Sequence, residues 1–455
     1  MSASGEPGPE ATPPVPLPDP ATRPFAVIGV GASAGGLEAF SQFLRNLPTN
    51  SGMAFVLVQH LDPSHESHLT GLLARAARMP VVEASEGLAV EPDHVYVIPP
   101  NTLLSISKGV LRLLPRTEGR GLNMPVDFFF CALAEDLGGQ AIGAVLSGTG
   151  SDGTLGLRAI KAAGGVTFAQ DATAQHEGMP RSAILSGYVD FVVSPEEMAR
   201  EMVRVGRHPH FNGDWSAGAA DEPAEGGNAL AALFRLLRNA TRVDYAHYKR
   251  STIMRRIQRR MILHRLDRLE EYVAHVREHP EEIEALNQDL LIHVTRFFRD
   301  PEVFERLAAD VFPALMKDRP TDAPIRIWVP GCSTGEEVYT LVIRLLEFLG
   351  DSAGTTPIKI FATDISESIL ERARAGQYPE AISADVSPER LRRFFVQDTG
   401  GYQVSKALRD LCVFAQHDMT RDPPFAGLDL ISCRNVLIYL GPCCRSAPCP
   451  SSTTP

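Results

Sequence analysis

A serine, a histidine and an aspartate each follow an apolar run that predicts a buried strand. Ser33 closes AVIGVGAS, His60 closes FVLVQH, and Asp152 lies in the small-residue loop after AIGAVL. Because the carboxyl ends of parallel strands line the crevice of an open α/β sheet, we expect the three side chains to meet there. A hydroxyl nucleophile, a base that titrates near neutrality and an acid are the groups that acyl transfer needs.

The loop around Ser33 fits two patterns. Gly29–Ala34 matches the glycine pattern of dinucleotide-binding folds, and Gly31–Gly35 matches the nucleophile elbow of hydrolases. A dinucleotide fold needs an acid for the ribose after the second strand, where this chain has His60. Taken singly, the three residues could be a helix cap, a strand-end histidine and a turn aspartate. Together they favour Ser33 as nucleophile, His60 as base and Asp152 as the acid that orients it.

A second group of small and acidic residues follows later strands. The turn GCSTG joins the predicted strand IRIWVP to a helix, and the predicted strand IKIFATD ends at Asp364. In a Rossmann-like sheet this arrangement lays a nucleoside along the strand tips, with the acid accepting from the ribose hydroxyls. The turn lacks the spacing for pyrophosphate, and no GxxxxGK[ST] is present. The pattern therefore favours S-adenosylmethionine over NAD or ATP.

The elements that must position these residues alternate between strand and helix on both sides of a helical stretch. We predict an α/β protein: an N-terminal doubly wound parallel-sheet domain, a small helical domain, then a Rossmann-like domain. The composition shifts give a Pro-rich tail over 1–23, domains over 24–205, 230–300 and 301–440, a linker over 206–229 and an aberrant tail over 441–455.

The overall composition argues against several classes of function. The chain has 455 residues, 44% of them hydrophobic, and a net charge of −11, which argues against general affinity for nucleic acid or an anionic membrane. No secretion signal and no apolar run of about 20 residues is present, so we expect a soluble, cytoplasmic protein. Four scattered cysteines fit a reducing compartment. His60, His65 and His68 lack the partners of a zinc site, and we predict no metal.

The segments IGVGASAGGLEA, VLVQHLDPSHES, AVLSGTGSDGTLGLRAIK and AQDATAQHEGMPRSAI give the first half a specific resemblance. They resemble the catalytic domain of the bacterial chemotaxis methylesterases (CheB) over residues 24 to about 205. The resemblance implies hydrolysis of glutamyl methyl esters on chemoreceptors, a possible glutaminase activity, and triad positions at Ser33, His60 and Asp152.

The segments DLLIHVTRFFRDPEVFERL, GCSTGEEVYT, FATDISESILERARAGQYPEAI and LDLISCRNVLIYL resemble the chemotaxis-receptor methyltransferases (CheR) over about 230–440. The resemblance implies S-adenosylmethionine as methyl donor and Tyr439 near the transfer path. It also implies a set of donor-contacting residues: Thr295, Arg299, Gly331, Glu337, Asp364, Met419, Cys433 and Arg434.

An arginine-rich stretch precedes these motifs. YKRSTIMRRIQRRMILHR places apolar residues on one helical face and Arg255, Arg256, Arg259 and Arg260 largely on another. A solvated face is the ordinary interpretation. Since the protein is acidic overall, an acidic receptor helix is a better partner than nucleic acid, and the methyltransferase resemblance implies such a contact.

The two halves together indicate a fusion that both hydrolyses and forms glutamyl methyl esters on chemoreceptors or related signalling proteins. The alternative is a non-catalytic or esterase-only scaffold that binds receptors. The last segment, GPCCRSAPCPSSTTP, predicts neither strand nor helix and resembles a truncated or frame-shifted end, although a metal clip through Cys443, Cys444 and Cys449 is conceivable. We therefore expect residues 230–455 to bind the methyl donor weakly or not at all.

Overall fold

The structure is a computed structural model of the chain. It describes residues 25–59, 69–115, 124–208, 227–245, 248–291, 295–320, 323–398 and 401–440. His60, the expected linker over 209–226 and the segments 1–24 and 441–455 lie outside the described residues. We refer to residues 25–208 as the N-terminal region, 227–291 as the helical region and 295–440 as the C-terminal region.

The N-terminal region is built on a seven-stranded parallel sheet in the order β3-β4-β2-β1-β7-β8-β9, beside which β5 and β6 form an antiparallel pair. Its strands are β1 Val27–Ala32, β2 Ala54–Gln59, β3 Val81–Glu83, β4 Val95–Val97, β5 Thr102–Ser107, β6 Val110–Pro115, β7 Ala141–Val145, β8 Val166–Gln170 and β9 Phe191–Val193. Its helices are α1 Gly36–Arg45, α2 Leu69–Ala76, α3 Pro125–Leu137, α4 Thr154–Ala163, α5 Gly178–Leu185 and α6 Pro195–Gly206.

Helices cover both faces of this sheet, which explains why its central strands are continuous apolar runs instead of alternating patterns. On one face α1 buries Phe40, Phe43 and Leu44. On the other face α3 approaches so closely that a Cβ on Gly31 would lie 2.2 Å from a methyl carbon of Val126. The glycine in β1 therefore lets α3 lie directly against the strand that ends at Ser33.

The helical region follows with four helices: α7 Gly227–Thr241, α8 Arg250–His264, α9 Leu269–Glu278 and α10 Glu281–Leu290. Their apolar stripes meet in one core, in which Leu233, Ile257, Tyr272 and Leu286 are fully buried. This is the small helical domain that the change of hydrophobic period predicts.

The C-terminal region contains a parallel sheet in the order β15-β11-β10-β16 and an antiparallel sheet in the order β12-β14-β13. Its strands are β10 Ile325–Pro330, β11 Ile358–Asp364, β12 Gln377–Pro379, β13 Phe395–Asp398, β14 Gly401–Val404, β15 Cys412–Gln416 and β16 Leu430–Ile431. Its helices are α11 Pro301–Arg306, α12 Phe312–Met316, α13 Glu336–Leu349, α14 Glu367–Ala375, α15 Pro388–Phe394 and α16 Lys406–Arg409. The predicted α/β fold class is confirmed.

The arginine face of α8 packs against the N-terminal region. Arg256 donates to the carbonyl oxygens of Lys161 and Ala162 at the end of α4, where the helix dipole gives partial negative charge. Arg259 donates to the carbonyl of Gly165 and pairs with Asp190. Arg256 and Arg259 are 2% and 1% exposed. For these two arginines, the expectations of a solvated face and of a receptor-binding face are both wrong.

Among the residues that the structure describes, no helix combines the length and the apolar character needed to cross a lipid bilayer.

Candidate active sites

Ser33 lies at the carboxyl end of β1, in the turn that leads into α1. Its backbone N–H donates to the carbonyl of Ser147 at 3.0 Å, and its own carbonyl accepts from Gly36 at 3.0 Å. The loop after β7 approaches so closely that a Cβ on Gly148 would lie 3.0 Å from the Cβ of Ser33. The turn after β1 and the loop after β7 are thus held together, and only a residue without a side chain fits between them.

Asp152 lies in the loop after β7, the strand next to β1 in the sheet. Its side chain is 2% exposed, and its carboxylate accepts from the N–H groups of Val126 at 3.0 Å and Asp127 at 2.9 Å, in the first turn of α3. A third bond comes from the N–H of Gly153 at 2.9 Å. These contacts fix the orientation of the carboxylate, as an acid that positions a base requires.

His60 follows directly after β2 in the sequence and lies outside the described residues. The preceding residue, Gln59, pairs in register with Ala32 of β1, and its side-chain amide donates to the carbonyl of Ser33 at 3.4 Å. The structure therefore brings the loops of Ser33 and Asp152 together and describes the chain up to the residue before the predicted base.

Asp127 is a buried acid that the sequence analysis missed. It lies in the first turn of α3, and its carboxylate accepts from the N–H of Gly156 in the first turn of α4 at 2.6 Å. Asp152, just before α4, accepts from N–H groups at the start of α3, and Asp127 in α3 accepts from an N–H group at the start of α4. Burial and then the neighbouring Asp152 raise the pKa of Asp127 to about 8. The position of Asp127 two residues after a proline does not indicate from the sequence that it bonds to a second helix.

A cavity at the carboxyl ends of β10 and β11 brings together most of the predicted donor residues. We call it the donor cavity. Seven of the eight line it: Thr295, Arg299, Gly331, Glu337, Asp364, Met419 and Arg434. Tyr439 also lines it, whereas Cys433 is not among the described residues that do. The expectation of weak donor binding rests on the tail over 441–455, which lies outside the described residues, and it stays a prediction.

The turn after β10 forms one wall of the donor cavity. Asp364, at the end of β11, accepts from the N–H groups of Ser333 at 2.9 Å and Ser366 at 3.1 Å. Gly331 has a φ of 66°, and a Cβ on it would lie 2.3 Å from a methyl carbon of Val436. The glycine is required both by its left-handed backbone and by the segment packed over it. A carboxylate has further acceptor sites, so Asp364 can still bind a ribose hydroxyl.

Glu337 forms the acidic part of the cavity lining. Burial raises its pKa, against the opposing effects of Ser432 and Arg434. The Ser432 hydroxyl donates to it at 2.6 Å, and the guanidinium of Arg434 lies 4.0 Å away. Arg434 also donates to the carbonyl of Arg299 at 2.8 Å. Residues predicted to contact the methyl donor, although distant in the sequence, thus contact one another directly.

The helical region closes one side of the donor cavity with residues that the sequence analysis missed. Tyr245, Tyr248 and Leu290 line it. The two tyrosine rings lie 5.2 Å apart, and the Tyr245 hydroxyl donates to the side-chain oxygen of Asn287 at 2.5 Å. In the sequence, the two tyrosines three positions apart before α8 are the feature that could have indicated this wall of the cavity. They give the cavity an apolar wall of the kind that ligand sites in proteins usually have.

Three family models match the chain. The CheB methylesterase model matches residues 28–202, the all-alpha domain of CheR methyltransferase matches 228–291, and the S-adenosylmethionine-binding domain of CheR methyltransferase matches 293–447. A chemotaxis protein methyltransferase of Pseudomonas aeruginosa is 36% identical over 46% of this chain and 72% of its own length. A putative protein-glutamate methylesterase/protein-glutamine glutaminase of Leptospira interrogans is 35% identical over 40% of this chain and 95% of its own length.

The chain belongs to the CheB methylesterase and CheR methyltransferase families. Its CheB part is the N-terminal region, and its CheR part comprises the helical and C-terminal regions. An uncharacterised 104.1 kDa protein of Rhodobacter capsulatus is 38% identical over 82% of this chain, so both parts occur together there. The chain spans 41% of the length of that relative.

Proposed function

We propose that the protein hydrolyses glutamyl methyl esters at the Ser33 site and forms them from S-adenosylmethionine at the donor cavity. The substrates are glutamyl side chains of methyl-accepting chemoreceptors or related cytoplasmic signalling proteins. The observation that carries the proposal is the presence, in one chain, of two separate sites at the carboxyl ends of two different parallel sheets. We assign the esterase function to residues 24–205 and the methyltransferase function to residues 230–300 and 301–440.

At the first site, Ser33 attacks the ester carbonyl while His60 accepts its proton, and Asp152 orients the imidazole and stabilises its charged form. The imidazolium then donates the proton to the leaving methoxide, and methanol departs. Water, activated in the same way, hydrolyses the acyl-enzyme and regenerates the serine. The three N–H groups that hold Asp152 support its role as the fixed member of the triad.

The oxyanion that forms during these steps needs N–H donors that are not already used. The N–H groups of Ser33 and Gly36 donate within the protein. Within the described part of the chain, those of Ala34 and Gly35 have no protein acceptor. We assign the oxyanion to these two donors, at the start of α1, where the helix dipole also favours negative charge.

At the second site, the acidic and aromatic lining fits S-adenosylmethionine. Asp364 can accept from the ribose hydroxyls, and the half-buried Glu337 places an acidic group where a cationic ligand can bind. The tyrosines of the helical region provide apolar contact. When bound, the donor supplies an electrophilic methyl group, and the protein orients it and excludes water.

Replacement of the nucleophile tests the proposal against the scaffold alternative. We expect Ser33→Ala to abolish methanol release from a methylated chemoreceptor fragment, since the covalent step is lost while nothing is overpacked. Ser151→Ala, in the loop before Asp152, is the matched control and should retain activity. Unchanged release by Ser33→Ala, or no release by the wild type, would contradict an esterase function.

A further inference from the structure

One side chain of the N-terminal region contacts two segments that carry lining residues of the donor cavity, although it does not line the cavity itself. Arg158 lies on α4, the helix that begins two residues after Asp152. One of its guanidinium nitrogens donates to the carbonyl oxygen of Thr295 at 2.7 Å and lies 3.6 Å from a carboxylate oxygen of Glu336. Both partners belong to the C-terminal region. The arginine therefore connects the esterase part of the chain with two segments that form the donor cavity.

The first segment is the loop over 295–300, which carries two residues of the donor cavity and has no regular secondary structure. Side chains from other segments of the chain hold this loop in its conformation. The Thr340 hydroxyl accepts from the N–H of Phe298 at 3.1 Å, and Arg434 donates to the carbonyl of Arg299. Arg158 holds the start of the loop through the Thr295 carbonyl. One of the contacts that position this loop thus comes from the N-terminal region.

The second segment is the turn after β10. Glu336 follows this turn, immediately before Glu337, and its side chain is 4% exposed. Its carboxylate accepts from the hydroxyl of Thr334 within the turn at 2.5 Å. A buried carboxylate is costly unless it is paired with a cation, and Arg158 provides that cation. Among the described residues Arg158 is the cation paired with Glu336, so its loss leaves this carboxylate without an ion-pair partner there, directly before Glu337 of the donor cavity.

We propose that Arg158 is a positioning residue for the methyl-donor site, supplied to the methyltransferase part by the esterase part. The inference rests on the proposed function of the donor cavity. It means that donor affinity depends on how the N-terminal region docks against the C-terminal region. It also means that α4, which begins two residues after the proposed triad acid Asp152, carries a contact to the loop of the donor cavity.

Calorimetric titration of the full chain with S-adenosylmethionine tests this. We expect Arg158→Gln to weaken donor binding about tenfold or more, the effect of losing a charged hydrogen bond at a buried acceptor. Arg158→Lys keeps the cation and should recover part of the affinity. Arg256→Gln is the matched control, because Arg256 is buried in the contact between regions and bonds to the carbonyl end of α4, whereas Arg158 bonds to Thr295 and Glu336 beside the donor cavity.

Wild-type affinity in Arg158→Gln would overturn the inference, and so would an equal loss in Arg256→Gln, which would indicate a general effect of loosening the interface. Thermal unfolding of the variants identifies any loss of folded protein. The difference in donor affinity between Arg158→Lys and Arg158→Gln then measures the contribution of the positive charge. Equal affinity of these two variants would contradict the role assigned to the cation. Failure of the wild type to bind would instead overturn the donor site itself.

Discussion

At the scale of single residues, the proposed esterase site contains a pair of buried acids in different environments. Asp152 is held by three N–H groups and is placed to orient a base. Asp127 accepts one N–H bond, and among the described residues its second oxygen has no hydrogen-bond partner. Two carboxylates this close are easier to bury when one of them is protonated, as the raised pKa of Asp127 indicates.

This raised pKa predicts a pH dependence of stability. The folded state holds the Asp127 proton more tightly than the unfolded chain does. The stabilisation is therefore fully present below the ordinary pKa of 3.8 and is lost as pH rises through about 8. We expect the free energy of unfolding of the wild type to fall between about pH 5 and about pH 8.5, and to fall less in Asp127→Asn.

Denaturant unfolding at several pH values measures this difference. Glu135→Gln, which changes an exposed acid on the same helix, is the control and should follow the wild type. A parallel decline in the wild type and in Asp127→Asn would show that Asp127 titrates alike in the folded and unfolded chains.

The sequence could predict the positions of Ser33 and Asp152 and most of the residues that line the donor cavity, because each follows an apolar strand or lies in a family motif. It could not identify Asp127 or Arg158. Their roles depend on how α3 and α4 face each other and on how α4 faces the C-terminal region. Neither relation leaves a periodic or compositional signal in the chain.

At the scale of elements, helix α8 shows why a pattern of charges does not reveal its partner. Its arginine spacing is the same whether that face meets solvent, a receptor or another part of the chain. The deciding contacts are the carbonyls at the end of α4 and the carboxylates of Asp190 and Asp289, distant in sequence. Fold class follows from local periodicity, whereas the packing of one region on another follows from complementary surfaces.

Removal of the Arg259 side chain tests the contact between α8 and the N-terminal region. We expect Arg259→Ala to destabilise the protein by about 3–5 kcal/mol, because it leaves two carboxylates with reduced charge compensation in a buried position. Arg265→Ala is the control. Its side chain is 66% exposed and pairs with Glu201, so we expect a loss below about 1 kcal/mol. Chemical denaturation measures both values, and equal losses would contradict the buried role of Arg259.

At the scale of the whole molecule, the contacts between the regions predict that the two parts of the chain stay together. The sequence over 206–229, poor in large apolar residues, predicts a site of early proteolytic cleavage. The contacts of Arg158, Arg256 and Arg259 with the opposite region predict that the two fragments stay associated after the cut. Size-exclusion chromatography of the nicked protein should give one peak of unchanged size. Separation into two peaks would show that the regions are independent.

Turnover of a labelled methyl group tests most directly the central claim that one chain carries both activities. The full chain is incubated with S-adenosylmethionine labelled in its methyl group and the cytoplasmic domain of a methyl-accepting chemoreceptor, and protein-bound and volatile label are followed over time. We predict that the wild type releases the label as methanol, whereas Ser33→Ala retains it on the receptor as a base-labile ester. Absence of label on the receptor with Ser33→Ala, or methanol release that this substitution leaves unchanged, would contradict the account.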